Sequence, residues 1–229
     1  MPQTQPYGTW ESPITADELC RKIVGFGCVQ VVDDALYWLE SNPDNHNHQV
    51  LYRRTADGVT EQLVPNDFNI GSRVHEYGSG ACWMHHNTIF AVKRSDQRIY
   101  RLNAPNQDLM PITPEPTTPG GFRYADGVVM PDGLRMYCVR EYHNGQQYPA
   151  NELVMIPTDG RQVPQIVFGD SDFVSSPCIS PDGTRLAWVS WDFPHMPWDS
   201  TRLHVATIQG DGTLCDVTII AGGKDISVS

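Results

Sequence analysis

Apolar and polar positions alternate in short runs along most of the chain, and the runs recur. Leu36, Ile89, Met136 and Leu186 each open one (LYWLES, IFAVKRS, MYCVRE, LAWVSW), at successive separations of about 53, 47 and 50 residues. Alternation with a period of two marks strands that bury one face. A repeat near 50 residues marks a fold built from copies of one sheet unit. The clearest copies are Val128-Val-Met-Pro-Asp-Gly-Leu-Arg-Met-Tyr-Cys-Val139 and Cys178-Ile-Ser-Pro-Asp-Gly-Thr-Arg-Leu-Ala-Trp-Val189, which match at an offset of 50. At the same offset Asn151–Ile156 falls on Thr201–Ala206, and both are followed by an Asp-Gly turn, at Asp159-Gly160 and Asp211-Gly212.

Each unit reads as four short strands bounded by turn signals, the plan of a propeller blade. In the fourth, the strands are expected over Ser176–Ser180, Arg185–Asp192, Arg202–Ile208 and Asp216–Ala221, with Leu186 and Trp188 on one face packing blade against blade. Pro131-Asp132-Gly133 and Pro181-Asp182-Gly183 suit the turn between first and second strands, because Pro presets φ and Gly accepts φ > 0. The fold class predicted is all-β, a partial β-propeller of about four four-stranded blades. Residues 1–24 form an N-terminal segment, and 25–229 carry the blades, at about 25–66, 73–115, 122–169 and 174–222, with the start of a fifth at 224–229. One short helix precedes the first blade: Thr15-Ala-Asp-Glu18 reads as a capping box, with Leu19 and Ile23 on one helical face.

Composition narrows the function classes. With 18 Pro and 19 Gly the chain is rich in turns, and its formal net charge of −11 disfavours nucleic acid and anionic membranes as partners, since no Lys/Arg cluster is present. No apolar stretch approaches a membrane span and Met1–Trp10 lacks a leader pattern, so the expected location is the cytoplasm. The six cysteines, Cys20, Cys28, Cys82, Cys138, Cys178 and Cys215, include no CxxC pair, and four lie in apolar runs, which reads as small buried hydrophobes. His46, His48, His85 and His86 are spaced poorly for ligation, so neither a metal nor another cofactor is expected.

Four segments then carry a resemblance: Tyr7-Gly-Thr-Trp-Glu-Ser-Pro-Ile-Thr15, Arg73-Val-His-Glu-Tyr-Gly78, the paired Pro-Asp-Gly units, and Trp191-Asp-Phe-Pro-His-Met-Pro-Trp-Asp199. Together they resemble the N-terminal β-propeller region of the prolyl oligopeptidase family of serine peptidases, in its acylaminoacyl-peptidase and dipeptidyl-aminopeptidase-like members. Ser79 and Ser200 depart from the Gly more usual at those places. The resemblance implies a ring of about seven blades over a C-terminal α/β-hydrolase domain of the same parent chain, which hydrolyses peptides by a Ser-His-Asp triad. This chain has no GxSxG nucleophile elbow; Gly169-Asp-Ser171 comes nearest, with Phe173 where the closing Gly belongs. No catalytic residue is therefore expected here, and the propeller's role would be gating and scaffolding of an enzyme that acts on peptide substrates.

Arg73, His75, Glu76 and Tyr77 are the candidates for the tunnel or substrate chamber. The alternative for them is structural, with Arg73 and Glu76 bracing two blades while Tyr77 packs. Trp191, Asp192, Trp198 and Asp199, in a Pro-rich excursion, are the candidates for docking the hydrolase domain or a second subunit; otherwise the tryptophans cap their own blade. The uncovered flanks of a partial ring predict self-association. A stand-alone TolB-like interaction module is the rival reading. A six-bladed sugar or lactone enzyme is disfavoured because the inner strands (CVQVV, GACWM, DGVVM, SPCIS) supply mostly apolar and small residues.

Overall fold

The structure is a computed structural model that describes residues 4–19, 23–77, 80–103 and 108–228. Cys20, Gly78, Ser79 and Ser229 lie outside the described residues, as does the side chain of Leu19, and with them part of the expected helix face, the end of the His-Glu-Tyr-Gly motif and the last residue of the expected fifth blade.

Alternation becomes four antiparallel four-stranded sheets, each a simple up-and-down meander. The first holds β1 (Gly25–Val32), β2 (Ala35–Asn42), β3 (His48–Arg54) and β4 (Thr60–Gln62). The second holds β5 (Cys82–His85), β6 (Thr88–Val92), β7 (Ile99–Asn103) and β8 (Leu109–Pro111). The third holds β9 (Phe122–Val129), β10 (Arg135–Tyr142), β11 (Ala150–Pro157) and β12 (Gln165–Phe168). The fourth holds β13 (Phe173–Ile179), β14 (Arg185–Trp191), β15 (Arg202–Ile208) and β16 (Leu214–Gly222). The first strands of successive sheets, β1, β5, β9 and β13, adjoin one another, which makes them the inner wall of a partial propeller of four blades.

The period of two decides which interface each residue joins. On β10, Met136 and Cys138 point toward blade 2 and pack with Phe90, Val92 and Ile99. Tyr137 and Val139, one position out of phase, point toward blade 4 and pack with Leu186 and Trp188. Blades 2 and 3 thus bury both faces, and the core is three slabs lying between blades. The Pro-Asp-Gly turns lock locally: Gly183 has φ 72°, and Asp182 Oδ1 accepts from Ser180 Oγ (2.6 Å) and Thr184 N–H (3.0 Å).

The inner strands share a distortion that the sequence does not advertise. β1, β9 and β13 each carry a bulge holding a non-glycine residue in the left-handed region, Cys28 (φ 49°), Asp126 (φ 53°) and Ser176 (φ 54°). The bulge turns polar groups toward the neighbouring blade: Asp126 N–H donates to the Gly80 carbonyl (2.9 Å), and Ser176 N–H reaches the Asp126 carboxylate (3.3 Å). Gly127, beside this bulge, has no room for a side chain, since an added Cβ would stand 2.0 Å from the Trp83 ring.

The short N-terminal helix is described over Ala16–Leu19, and its capping box forms, with Glu18 N–H donating to Thr15 Oγ1 (3.2 Å) and Thr15 N–H to Glu18 Oε2 (2.9 Å); Ile23, beyond it, is exposed. One expectation needs correction. Among the described cysteines, burial holds for Cys82 and Cys138 only. Cys178 is exposed, and Cys28 and Cys215 are half-buried, Cys28 at the margin of the core between blades 1 and 2.

Candidate functional site

The inner strand of blade 2 is interrupted. Gly71 N–H donates to the Val92 carbonyl (2.9 Å), and Val92 N–H donates to the Ala81 carbonyl (2.8 Å), so the chain leaves and rejoins the sheet at a single rung. The described residues between them, 72–77 and 80, belong to an insertion at the place where the other blades have only a bulge. It contains the Arg73, His75, Glu76 and Tyr77 candidates, and it crosses from blade 2 to blades 3 and 4. Ser72 Oγ donates to the Tyr124 carbonyl of β9 (2.7 Å). Val74 joins the core between blades 3 and 4.

His75 is wedged against blade 4: its ring lies edge-on to Phe173 (5.6 Å) and Trp191 (5.5 Å), which stack on each other at 8°. Its backbone N–H donates to Glu141 Oε1 (2.6 Å). Glu141, at the end of β10, is only 3% exposed, and its other oxygen lies 3.0 Å from His143 Nε2 and 3.5 Å from Arg123 Nη1. Arg123, near the start of β9, donates through Nη1 to the Arg73 carbonyl (3.0 Å) and to Glu76 Oε1 (2.5 Å). Arg73 completes the array with Nη2 3.1 Å from Glu76 Oε2. The brace that sequence reasoning drew between Arg73 and Glu76 therefore runs through Arg123 to blade 3. Tyr77 does not pack; it is 88% exposed.

Beneath the insertion, between blades 3 and 4, lies a cavity of about 500 Å³ walled by His75, Arg123, Glu141, Tyr148, Phe173 and Phe193. Its walls combine aromatic faces with buried polar atoms that lack good hydrogen bonds. Among the described residues Arg123 Nε has no hydrogen-bond partner, and the His75 ring interacts with the Asn151 side chain without a well-formed hydrogen bond. Such atoms normally find a partner, and a ligand or water would supply it here. Arg123 and Glu141 escaped the sequence reading. The signal for both was a charged residue next to the end of a strand with an apolar middle, Arg123 second on β9 and Glu141 second to last on β10.

Electrostatics follow from burial. Desolvation holds the His75 imidazole below its ordinary value of 6.5, against the opposing pull of Glu141 and Asp126. Hydrogen bonds from Arg123, then Arg73, hold the Glu76 carboxyl below its usual range. His204 is also held low by burial; it stacks flat on Trp188 and lies 2.8 Å from Ser190 Oγ. A histidine whose folded pKa is depressed binds its proton more readily in the unfolded chain. Its contribution is whole above about pH 6.5 and is lost as the pH falls toward the folded pKa. The urea midpoint is therefore expected to fall between pH 7 and 5.5, and His75→Gln to flatten that slope. An unchanged slope in the variant would assign the loss elsewhere.

The Pro-rich excursion divides. Trp191 is only 7% exposed and is part of the His75 wedge, so its assignment to a docking surface is corrected: it has no face left to offer. Asp192 is internal to its blade too, accepting from Asp172 N–H (3.1 Å) and Arg202 Nη1 (2.5 Å). Asp199 caps the local turn through Met196 N–H (3.1 Å), whereas Trp198 stands 69% exposed.

Neither a protein-family model nor a curated protein matches the sequence. Solved structures do. A Mycobacterium tuberculosis puromycin-hydrolysing peptidase superposes with a TM-score of 0.83 at 31% identity, over 97% of this chain and 36% of that one. A puromycin hydrolase gives 0.83 at 32%, with the same coverage of each chain. A prolyl endopeptidase gives 0.62 at 12% identity, over 88% of this chain and 30% of that one, a likeness of fold. The chain thus spans little more than a third of the length of the two more similar proteins. Among the described residues no helix is long and apolar enough to cross a membrane.

Proposed function

The chain belongs to the N-terminal propeller region of the prolyl oligopeptidase family of peptidases, and from that premise we propose that it gates and scaffolds a serine peptidase whose chemistry is done by an α/β-hydrolase domain of the same parent. The observation that carries this reading is the insertion at residues 72–80. It roofs a cavity of about 500 Å³, large enough for a peptide end or a small amide and too small for a folded protein.

In this reading the propeller excludes by size and holds by contact. Phe193, Phe173 and Tyr148 supply apolar surface to a substrate side chain, and Arg123, Asn151 and His75 supply hydrogen bonds to its polar end. The triad that attacks the scissile carbonyl belongs to the hydrolase domain. Puromycin is the first substrate to assay, by analogy with the relatives at 31% and 32% identity.

The test has two arms. The chain alone is expected to show no turnover of chromogenic dipeptides, acyl-amino acids or puromycin; inhibitor-sensitive turnover by it would reject the non-catalytic assignment. In the parent, Phe193→Ala removes an exposed ring from the cavity wall and is expected to raise KM about tenfold, the worth of one aromatic contact, with kcat near wild type. An unchanged KM would remove the cavity from the substrate path.

A further inference from the structure

Away from this cavity, sulfur gathers where blade 1 meets blade 2. Cys28 is the left-handed bulge residue of β1, and its thiol donates to the carbonyl of Cys82, the first residue of β5, at 3.0 Å. Gln30 Nε2 donates to Cys28 Sγ at 3.2 Å, and Met84 Sδ lies 3.9 Å from Cys82 Sγ. These cysteines are 54 residues apart, and the ring alone brings them together.

Their surroundings differ in the way an exchanging pair requires. Both line a cavity of about 430 Å³ with Gln30, Tyr77 and Arg94, but Cys28 is half-buried whereas Cys82 is only 2% exposed. The Cys82 thiol and then the Gln30 amide stabilise a thiolate at Cys28 and pull its pKa down, while the same contact and burial push Cys82 up. The exposed Arg94 guanidinium in the cavity favours an anionic reagent.

We propose that Cys28 and Cys82 are an exchange-active dithiol, Cys28 attacking and Cys82 resolving, which a small anionic disulfide of the glutathione class converts to a disulfide between the innermost strands of blades 1 and 2. The Cys28 thiolate attacks one sulfur of the reagent, forms a mixed disulfide and expels one glutathione thiolate. The Cys82 thiol gives its proton to that leaving thiolate and attacks Cys28 Sγ, displacing the second glutathione. Two protein thiols and one small disulfide become one protein disulfide and two small thiols, so the two electrons reside on the reagent. Cys82 follows Ala81, where the inserted segment rejoins its rung, and the new bond ties that end of the insertion to blade 1.

The reduced protein, equilibrated in an oxidising glutathione buffer, then alkylated, digested and weighed, is expected to yield a Cys28–Cys82 cross-linked peptide pair lighter by two hydrogens. Cys82→Ser is expected to strand glutathione on Cys28, and exposed Cys178 to stop at the mixed disulfide, as an internal control. Wild-type Cys28 that remains glutathionylated without cross-linking, or that is recovered fully alkylated while Cys178 has reacted, overturns the proposal.

Discussion

Arg140→Met is expected to lower the stability of the chain by about 3–5 kcal/mol, read as a reduced urea midpoint, because it strands a buried carboxylate. Arg140 and Glu152 sit opposite each other on β10 and β11, at 8% and 9% exposure. Nε and Nη2 of the arginine both donate to Glu152 Oε2, at 2.8 and 2.6 Å, and the guanidinium lies over the Phe122 ring at 4.9 Å. Deleting the cation leaves Glu152 desolvated and without its donors. Arg140→Met combined with Glu152→Met removes both charges and should recover most of the loss, since apolar pairs of like volume replace buried ion pairs at little cost. A double variant no more stable than the single one would show that the arginine acts through Phe122 and packing instead.

Trp188→Ala should cost about 3–5 kcal/mol. Trp188 is fully buried in the slab between blades 3 and 4, its ring stacked on His204 at 5.0 Å and 3° and close to Phe168 at 4.9 Å. Its Nε1 has no hydrogen-bond partner, so the loss is one of packing. Trp188→Phe keeps an aromatic face for His204 and should be the milder change by equilibrium unfolding. Equal losses for the two variants would mean that stacking on His204 contributes nothing.

Much of the fold was legible because local and long-range signals agreed. The offset of 50 between the Pro-Asp-Gly units reflects turn chemistry that each blade needs separately; the run beginning at Met136 is apolar through Val139 because both faces of that blade are buried, while the run beginning at Leu186 buries Leu186 and Trp188 and leaves Ala187 and Val189 partly open. The bulges were not legible: Cys28, Asp126 and Ser176 share a backbone conformation and no side-chain chemistry. The candidate site was half-visible. Arg73, His75, Glu76 and Tyr77 form one contiguous motif, whereas Arg123 reaches Glu76 across 47 residues and Glu141 reaches His75 across 66, distances that only the ring closes. The Trp191 reading erred for a related reason, since its stacking partner Phe173 stands on the neighbouring strand β13, outside the motif that drew attention to it.

The detour between Gly71 and Ala81 leaves and returns at one residue, Val92. Between those ends it is keyed into two further blades, through Ser72 to Tyr124, Val74 in the slab between blades 3 and 4, and His75 to Glu141. A change of length inside it would leave the rung at Val92 in register yet undo a clasp that fastens three blades together, so the segment belongs to the frame as much as to the cavity it covers.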